Sequence, residues 1–235
     1  WRRRGSIARR QRNCSASPSG RCVIVWSVWG LTETGVQSHA IADMDDPKNW
    51  IVDAAGVLPA ARQIPSPNYD ARPSGCSIEL VVIHSISLPP GRFGGDAIEA
   101  LFTNCLDPAA DPCFEAIAGM QVSSHFLIRR DGELIQFVPC LQRAWHAGAS
   151  QWRSRARCND FSIGIELEGC DEVAFEDAQY RVLGQLVNAL RQAYPIVDCA
   201  GHCDIAVPVG RKTDPGPLFE WARIGEPVQT ARQDL

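Results

Sequence analysis

The sequence predicts a mixed α/β fold, a central mixed β-sheet with helices packed against it. Three observations predict it. Short apolar runs of strand length recur along the chain, two of them are joined by a tight-turn dipeptide, and one long amphipathic helix follows them.

In chain order, Pro65-Ser66-Pro67-Asn68-Tyr69-Asp70 reads as an extended, turn-rich loop. Leu80-Val81-Val82-Ile83-His84 reads as a buried strand with His84 at its C-terminal end. Asp96 to Leu106 reads as a helix, because Ile98, Leu101 and Phe102 fall at helical spacing. The runs His125 to Arg130 and Glu133 to Val138 form a hairpin across Asp131-Gly132, a dipeptide that tolerates the backbone of a tight turn. Phe161 to Leu167 alternates as a strand does: Ile163, Ile165 and Leu167 share one face, Gly164 and Glu166 the other. Gln179 to Tyr194 is the clearest helix, with Val182, Leu183, Leu186, Val187 and Leu190 on one face and Pro195 as its stop.

Composition narrows the function. A net charge of −4 argues against a nucleic-acid partner whose phosphates would need many cations. No run approaches the ~20 apolar residues of a spanning helix, which argues against a membrane partner. The ten cysteines are dilute and form no C-x-x-C pair, so they read as free thiols in a reducing compartment rather than as a disulfide scaffold. Only two lysines, Lys48 and Lys212, stand among 23 basic residues.

Residues 1–43 differ from the rest. Arg2, Arg3, Arg4, Arg9, Arg10 and Arg12 crowd the start, and the first acidic residue is Glu33. A secretory signal, a transit-type presequence and sequence upstream of a start at Met44 all compete here.

The strongest local signal is Gly201-His202-Cys203-Asp204-Ile205-Ala206 followed by Gly210-Arg211-Lys212-Thr213-Asp214-Pro215-Gly216. Its glycines and prolines read as a loop rather than a helix, and a loop on a rigid scaffold can aim several side chains at one point. Zinc accepts imidazole nitrogen and carboxylate oxygen, and a catalytic zinc site uses three protein ligands. His84, His202 and Asp214 would supply that set, while each histidine alone is also explained as a structural residue. Glu166 reads equally as a general base beside such a metal or as a solvent-facing strand glutamate, and Glu168 shares its face. Trp145, in Trp145-His146-Ala147-Gly148, either stacks on a sugar ring or packs into the core. Cys203 beside His202 is a poor nucleophile, since nothing in the sequence activates it.

Together these segments resemble the AmpD family, 1,6-anhydro-N-acetylmuramyl-L-alanine amidases of the amidase type 2 superfamily, which also includes peptidoglycan recognition proteins. The resemblance runs from about Trp50 to Gly225. It is carried by Pro65 to Asp70, Ile86 to Gly95, Leu127 to Glu133, Arg143 to Gly148, Cys158 to Gly169 and the His202 to Gly216 stretch. It implies a zinc ion on His84, His202 and Asp214, Glu166 as general base and Lys212 as the cation that stabilises the oxyanion. It also implies that Trp145 and His146 lie near the sugar and that Arg157 meets the stem-peptide carboxylates. The implied substrate is an anhydro-muropeptide, cut between the lactyl group of 1,6-anhydro-N-acetylmuramic acid and L-alanine during cell-wall recycling. Such enzymes are cytoplasmic, and a monomer is expected. Their chains begin shortly before the Trp that matches Trp50, which favours a start at Met44, so 1–43 is expected to be a non-native or disordered extension and 44–235 the zinc amidase catalytic domain. They also remove the muropeptides that induce chromosomal β-lactamase.

This chain departs from the family in its Ala206-Val207-Pro208-Val209-Gly210 passage, about two residues longer than usual, in Ser85 where asparagine is usual, in Gln121 where an arginine is common, and in an insertion at Val57 to Ala61. Two rival readings are a non-catalytic peptidoglycan-binding module and a secreted amidase acting on intact wall. The complete set of His84, His202, Asp214, Glu166 and Lys212 weighs against the first, and the lack of a clear signal sequence against the second.

Overall fold

The computed structural model describes residues 47–225. The expectation for residues 1–43 therefore falls outside the described residues. Among the described residues ten strands run in chain order: β1 (Arg62–Gln63), β2 (Tyr69–Ala71), β3 (Leu80–Ile86), β4 (Phe126–Ile128), β5 (Leu134–Gln136), β6 (Gln142–Ala144), β7 (Gln151–Trp152), β8 (Arg155–Ala156), β9 (Ser162–Glu168) and β10 (Asp198–Gly201). Three α-helices accompany them: α1 (Ala97–Phe102), α2 (Asp177–Ala193) and the single turn α3 (His202–Ile205).

Six strands form the central sheet in the order β1-β5-β4-β9-β3-β10. The β4–β5 pair is antiparallel and every other pairing is parallel, so the sheet is mixed, as the sequence predicted. The hairpin turns where Asp131-Gly132 placed it, with Gly132 at a positive φ of 90°.

One face of the sheet packs on α2. Val81, Ile83, Ile163, Ile165 and Leu167 meet Val182, Leu183, Leu186, Val187 and Leu190 in one buried cluster. Burying each such side chain contributes roughly 1.5–3 kcal/mol. The start of α2 is pinned by Gln179, fully buried, whose Oε1 accepts from the backbone of Glu176 and whose Nε2 donates to the carbonyls of Ile128 and Glu168. The opposite face is covered in two parts. The α1 residues Ile98, Leu101 and Phe102 pack on Leu127, Ile135 and Phe137. Ala147, Cys158, Phe161 and Ile205 pack on Leu80, Val82 and Ala200. His84 and Glu166 point to this second face.

Three expectations need correction. β3 runs two residues past His84, because Ser85 and Ile86 stay paired with Leu167 and Glu168. The helix expected over Asp96 to Leu106 stops at Phe102, and Asn104 just beyond it turns to a positive φ of 60°. The stretch from Gly201 is not all loop: His202 opens α3, where the Asp204 carboxylate accepts the backbone N–H of Gly201 at 2.8 Å. Cys76, Cys113, Cys140, Cys158, Cys170 and Cys203 are free thiols, as expected, and Cys14 and Cys22 lie outside the described residues.

Candidate metal centre and active site

Parallel pairing builds the site. In the β3–β9 register His84 stands beside Glu166, and in the β10–β3 register Gly201 stands beside Ile83. His202, the next residue, is thus delivered to His84. The chain returns through Asp214, whose carbonyl accepts the backbone N–H of Cys203 at 2.9 Å. Gly201 is required at this crossing, since a Cβ there would lie 2.8 Å from Pro215 Cδ.

Three ligand-type atoms converge. His84 Nδ1 lies 3.0 Å from His202 Nδ1 and 3.1 Å from Asp214 Oδ2, and His202 Nδ1 lies 3.0 Å from the same oxygen. Both imidazoles are buried and the carboxylate is half-buried. The outer nitrogen of His202, Nε2, lies 3.2 Å from the carbonyl of Ala147, which can only accept. Its proton is therefore on Nε2, and a neutral ring turns a lone pair toward Asp214. A carboxylate facing such lone pairs at 3 Å is unfavourable unless a cation sits among them. Two imidazole nitrogens and one carboxylate oxygen suit zinc, which binds such atoms at about 2.0–2.2 Å and leaves a fourth position open in catalytic sites. The donor set thus fits the metal that the sequence implied.

The titration of the neighbours follows from burial. His84 is pushed down to about 4 by burial, against the opposing pull of Asp214. Burial pushes Asp214 up, but without a metal an Nδ1–H of His202 or His84 donated to it outweighs that and holds it below the usual carboxylate range, the place that a cation takes when both Nδ1 atoms are bare. Glu166, 9% exposed, is raised well above the ordinary value by burial and by Asp214, with Lys212 opposing. Its Oε2 is buried and has no hydrogen-bond partner among the described residues. A buried carboxylate oxygen without a partner is costly, and such groups concentrate at functional sites.

Beside Asp214 opens a cavity of about 360 Å³, lined by Ser85, Asp171, Glu172, Arg211 and Lys212 among others. Lys212 is exposed, and nothing among the described residues forms an ion pair with it. The extended Val207 to Gly210 passage is held by its neighbour. Arg211 donates to the carbonyls of Val207 and Ala149, at 3.0 and 2.8 Å, and the Val207 N–H donates to Ala149 as well.

The family described as N-acetylmuramoyl-L-alanine amidase (Amidase_2) matches residues 74–217. The chain is 58% identical over 171 residues to the 1,6-anhydro-N-acetylmuramyl-L-alanine amidase AmpD of Escherichia coli (strain K12), covering 72% of this chain and 92% of that protein. The chain belongs to the AmpD family of N-acetylmuramoyl-L-alanine amidases. The Haemophilus influenzae AmpD is 48% identical over 171 residues, again covering 72% of this chain and 92% of that one. A crystal structure of a selenomethionine AmpD derivative superposes with a TM-score of 0.71 at 56% identity, covering 74% of this chain and 97% of that chain. This protein is accordingly an amidase with the amidase type 2 fold.

On the amidase scaffold the other expected residues separate. Trp145 is half-buried and its Nε1 donates to Asp70 Oδ1 at 3.2 Å. Asp70 also accepts from Arg143, which bridges to Asp160. Arg157 belongs to the same network, with Nε 3.2 Å from Asp160 Oδ2, a positive φ of 63° and a mostly exposed side chain. His146 lies elsewhere: its two ring nitrogens contact His84 Nε2 and Ser162 Oγ. Cys203 is pushed up to about 12 by burial and by Asp204, which removes it as a nucleophile, as expected. Glu168, the rival of Glu166, is fully engaged by Arg129 and the backbone N–H groups of Gly94 and Arg130. Sequence reasoning gave no role to Ser162 or Asn159, because their contacts with the 145–148 segment are tertiary.

Proposed function

We propose that this amidase is zinc-dependent and hydrolyses the amide between the lactyl group of 1,6-anhydro-N-acetylmuramic acid and L-alanine in muropeptides, in peptidoglycan recycling. The observation that carries the reading is the joint geometry of His84, His202 and Asp214 at 3.0–3.1 Å with Glu166 in register beside His84. The names of the AmpD relatives supply the substrate.

His84, His202 and Asp214 would hold the zinc ion, which when bound supplies Lewis acidity toward the scissile carbonyl and its attacking water. Glu166 takes a proton from that water and later returns it to the departing alanine nitrogen. Its unpartnered, desolvated carboxylate suits this exchange, because burial has raised its proton affinity well above that of an ordinary carboxylate. The ammonium of Lys212, at the mouth of the cavity beside Asp214, stabilises the negative charge that grows on the carbonyl oxygen. Trp145 and Arg157, joined through the Asp70–Arg143–Asp160 network, contribute to the face that meets sugar and stem peptide. The catalytic domain is assigned to 44–235, acting as a monomer in the cytoplasm. No helix among the described residues is long and apolar enough to cross a membrane.

The test is mass spectrometry of the purified protein with anhydro-muramyl tripeptide in ¹⁸O water. The reading expects free tripeptide with an unlabelled amine and one ¹⁸O in the released lactyl carboxylate. Cleavage within the peptide, or binding without cleavage, contradicts it.

A further inference from the structure

A neutral imidazole offers one lone pair, and the partner of its outer nitrogen decides which atom carries it. For His202 the Ala147 carbonyl settles the matter. For His84 the outer partner is another histidine, with His84 Nε2 and His146 Nδ1 2.9 Å apart, and either could donate.

The next contacts resolve the ambiguity. His146 Nε2 lies 3.2 Å from Ser162 Oγ. Ser162 has one hydroxyl hydrogen, and it is donated to the Cys158 carbonyl at 2.6 Å. A hydroxyl that has spent its hydrogen can only accept, so His146 carries its proton on Nε2. His146 Nδ1 is then bare and accepts Nε2–H of His84. His84 is left with a bare Nδ1, the atom that faces Asp214 and His202.

The bracket is held from two sides. A Cβ on residue 164 would lie 2.5 Å from His146 Cγ, so Gly164 leaves the room in which the ring sits. Asn159 Oδ1 accepts the backbone N–H groups of both His146 and Ala147, at 3.2 and 2.8 Å. One dipeptide thus supplies the outer partner of both imidazoles, by side chain for His84 and by carbonyl for His202.

We propose that His146 is a positioning residue, itself set by Ser162, that fixes the tautomer and orientation of His84 so that Nδ1 faces the metal. The inference rests on the zinc reading of His84, His202 and Asp214. Without the acceptor, the His84 proton can move to Nδ1 and the ring can rotate, and both compete with metal binding. Loss of such an outer partner weakens metal binding by about 10- to 100-fold.

The experiment measures zinc affinity of the full chain by competition with a chromophoric chelator, and the visible spectrum of the cobalt(II)-substituted protein. The variants are H146L, H146N and S162A. H146L should bind zinc about 10- to 100-fold more weakly and shift the cobalt bands. H146N, whose Oδ1 restores an acceptor near the Nδ1 position, should recover most of that loss. S162A, which touches no ligand, should weaken zinc several-fold. Folded H146L with wild-type affinity and spectrum overturns the proposal, and so does H146N no better than H146L. If H146L fails to fold, S162A decides, and unchanged zinc affinity there overturns it. Failure of the wild-type chain to bind zinc instead overturns the metal reading, which separates the two.

Discussion

Glu166 and Glu168 lie two residues apart on one face of β9, and replacing each by glutamine should separate chemistry from architecture. Glu166→Gln preserves volume and removes no hydrogen bond at Oε2, because that atom has none. What it removes is the base, a contribution of about 10²- to 10⁴-fold in rate, or ~2.7–5.4 kcal/mol of barrier. The same substitution should raise stability at neutral pH. The folded-state pKa of Glu166 lies above its unfolded value, so the wild-type carboxyl favours folding at low pH and loses that contribution as pH rises toward the folded pKa. Each pH unit in that window costs the metal-free wild type up to ~1.4 kcal/mol that the glutamine variant does not lose. Glu168→Gln should do the reverse. It disturbs the hydrogen bonds with Arg129, Gly94 and Arg130, costing about 1–3 kcal/mol of stability, and leaves turnover of the folded protein within several-fold. The assays are tripeptide release at saturating substrate and urea unfolding at pH 5, 6 and 7. Glu166→Gln within tenfold of the wild-type rate, or an equal rate loss in well-folded Glu168→Gln, refutes the assignment.

Lys212→Ala should lower turnover by about 10²- to 10³-fold with bound zinc unchanged, and a loss smaller than tenfold would remove Lys212 from the oxyanion role. His125 is buried, accepts the Gly164 N–H at Nδ1 and donates from Nε2 to the Gln142 carbonyl; burial, then Arg72, holds it well below 6.5. Because its folded pKa is depressed, the unfolded chain takes up a proton first and stability falls as pH drops below ~6.5; His125→Asn should flatten that fall by up to ~1.4 kcal/mol per pH unit, read by urea unfolding of the metal-free protein from pH 7 to 5. A chain shortened to begin at Met44 should remain monodisperse and keep the full rate, and aggregation or inactivity of that chain counts against the domain assignment.

Much of the fold was legible because burial leaves a period in the sequence. The alternation from Ile163 to Leu167 put Glu166 on the face opposite Ile165 and Leu167, and the 3.6-residue spacing from Val182 to Leu190 marked the apolar face of α2; that Glu166 stands beside His84 and α2 covers the other face came only with the strand pairing. Short elements were not legible. β1, β2, β7 and β8 have two or three residues each, too few for any period, and they are fixed by partners distant in the chain. α3 was hidden because its glycine and proline neighbours carry the signature of a loop, while the turn is made by a side-chain hydrogen bond from Gly201 to Asp204. The ligand set was suggested by residue type and by family resemblance, but its convergence depends on β10 pairing with β3, which no local pattern records. The contacts of His146 with His84 and Ser162 span 62 and 16 residues, so residue type alone left its place open.

The most direct test of the central claim is a zinc titration of the chelator-stripped protein, following bound metal and tripeptide release in the same samples. The account predicts that activity is absent without metal, rises in proportion to zinc and breaks at one equivalent, and that His84→Ala abolishes both the tight site and the activity. Full activity in the stripped protein, or a tight site that survives His84→Ala, would contradict it.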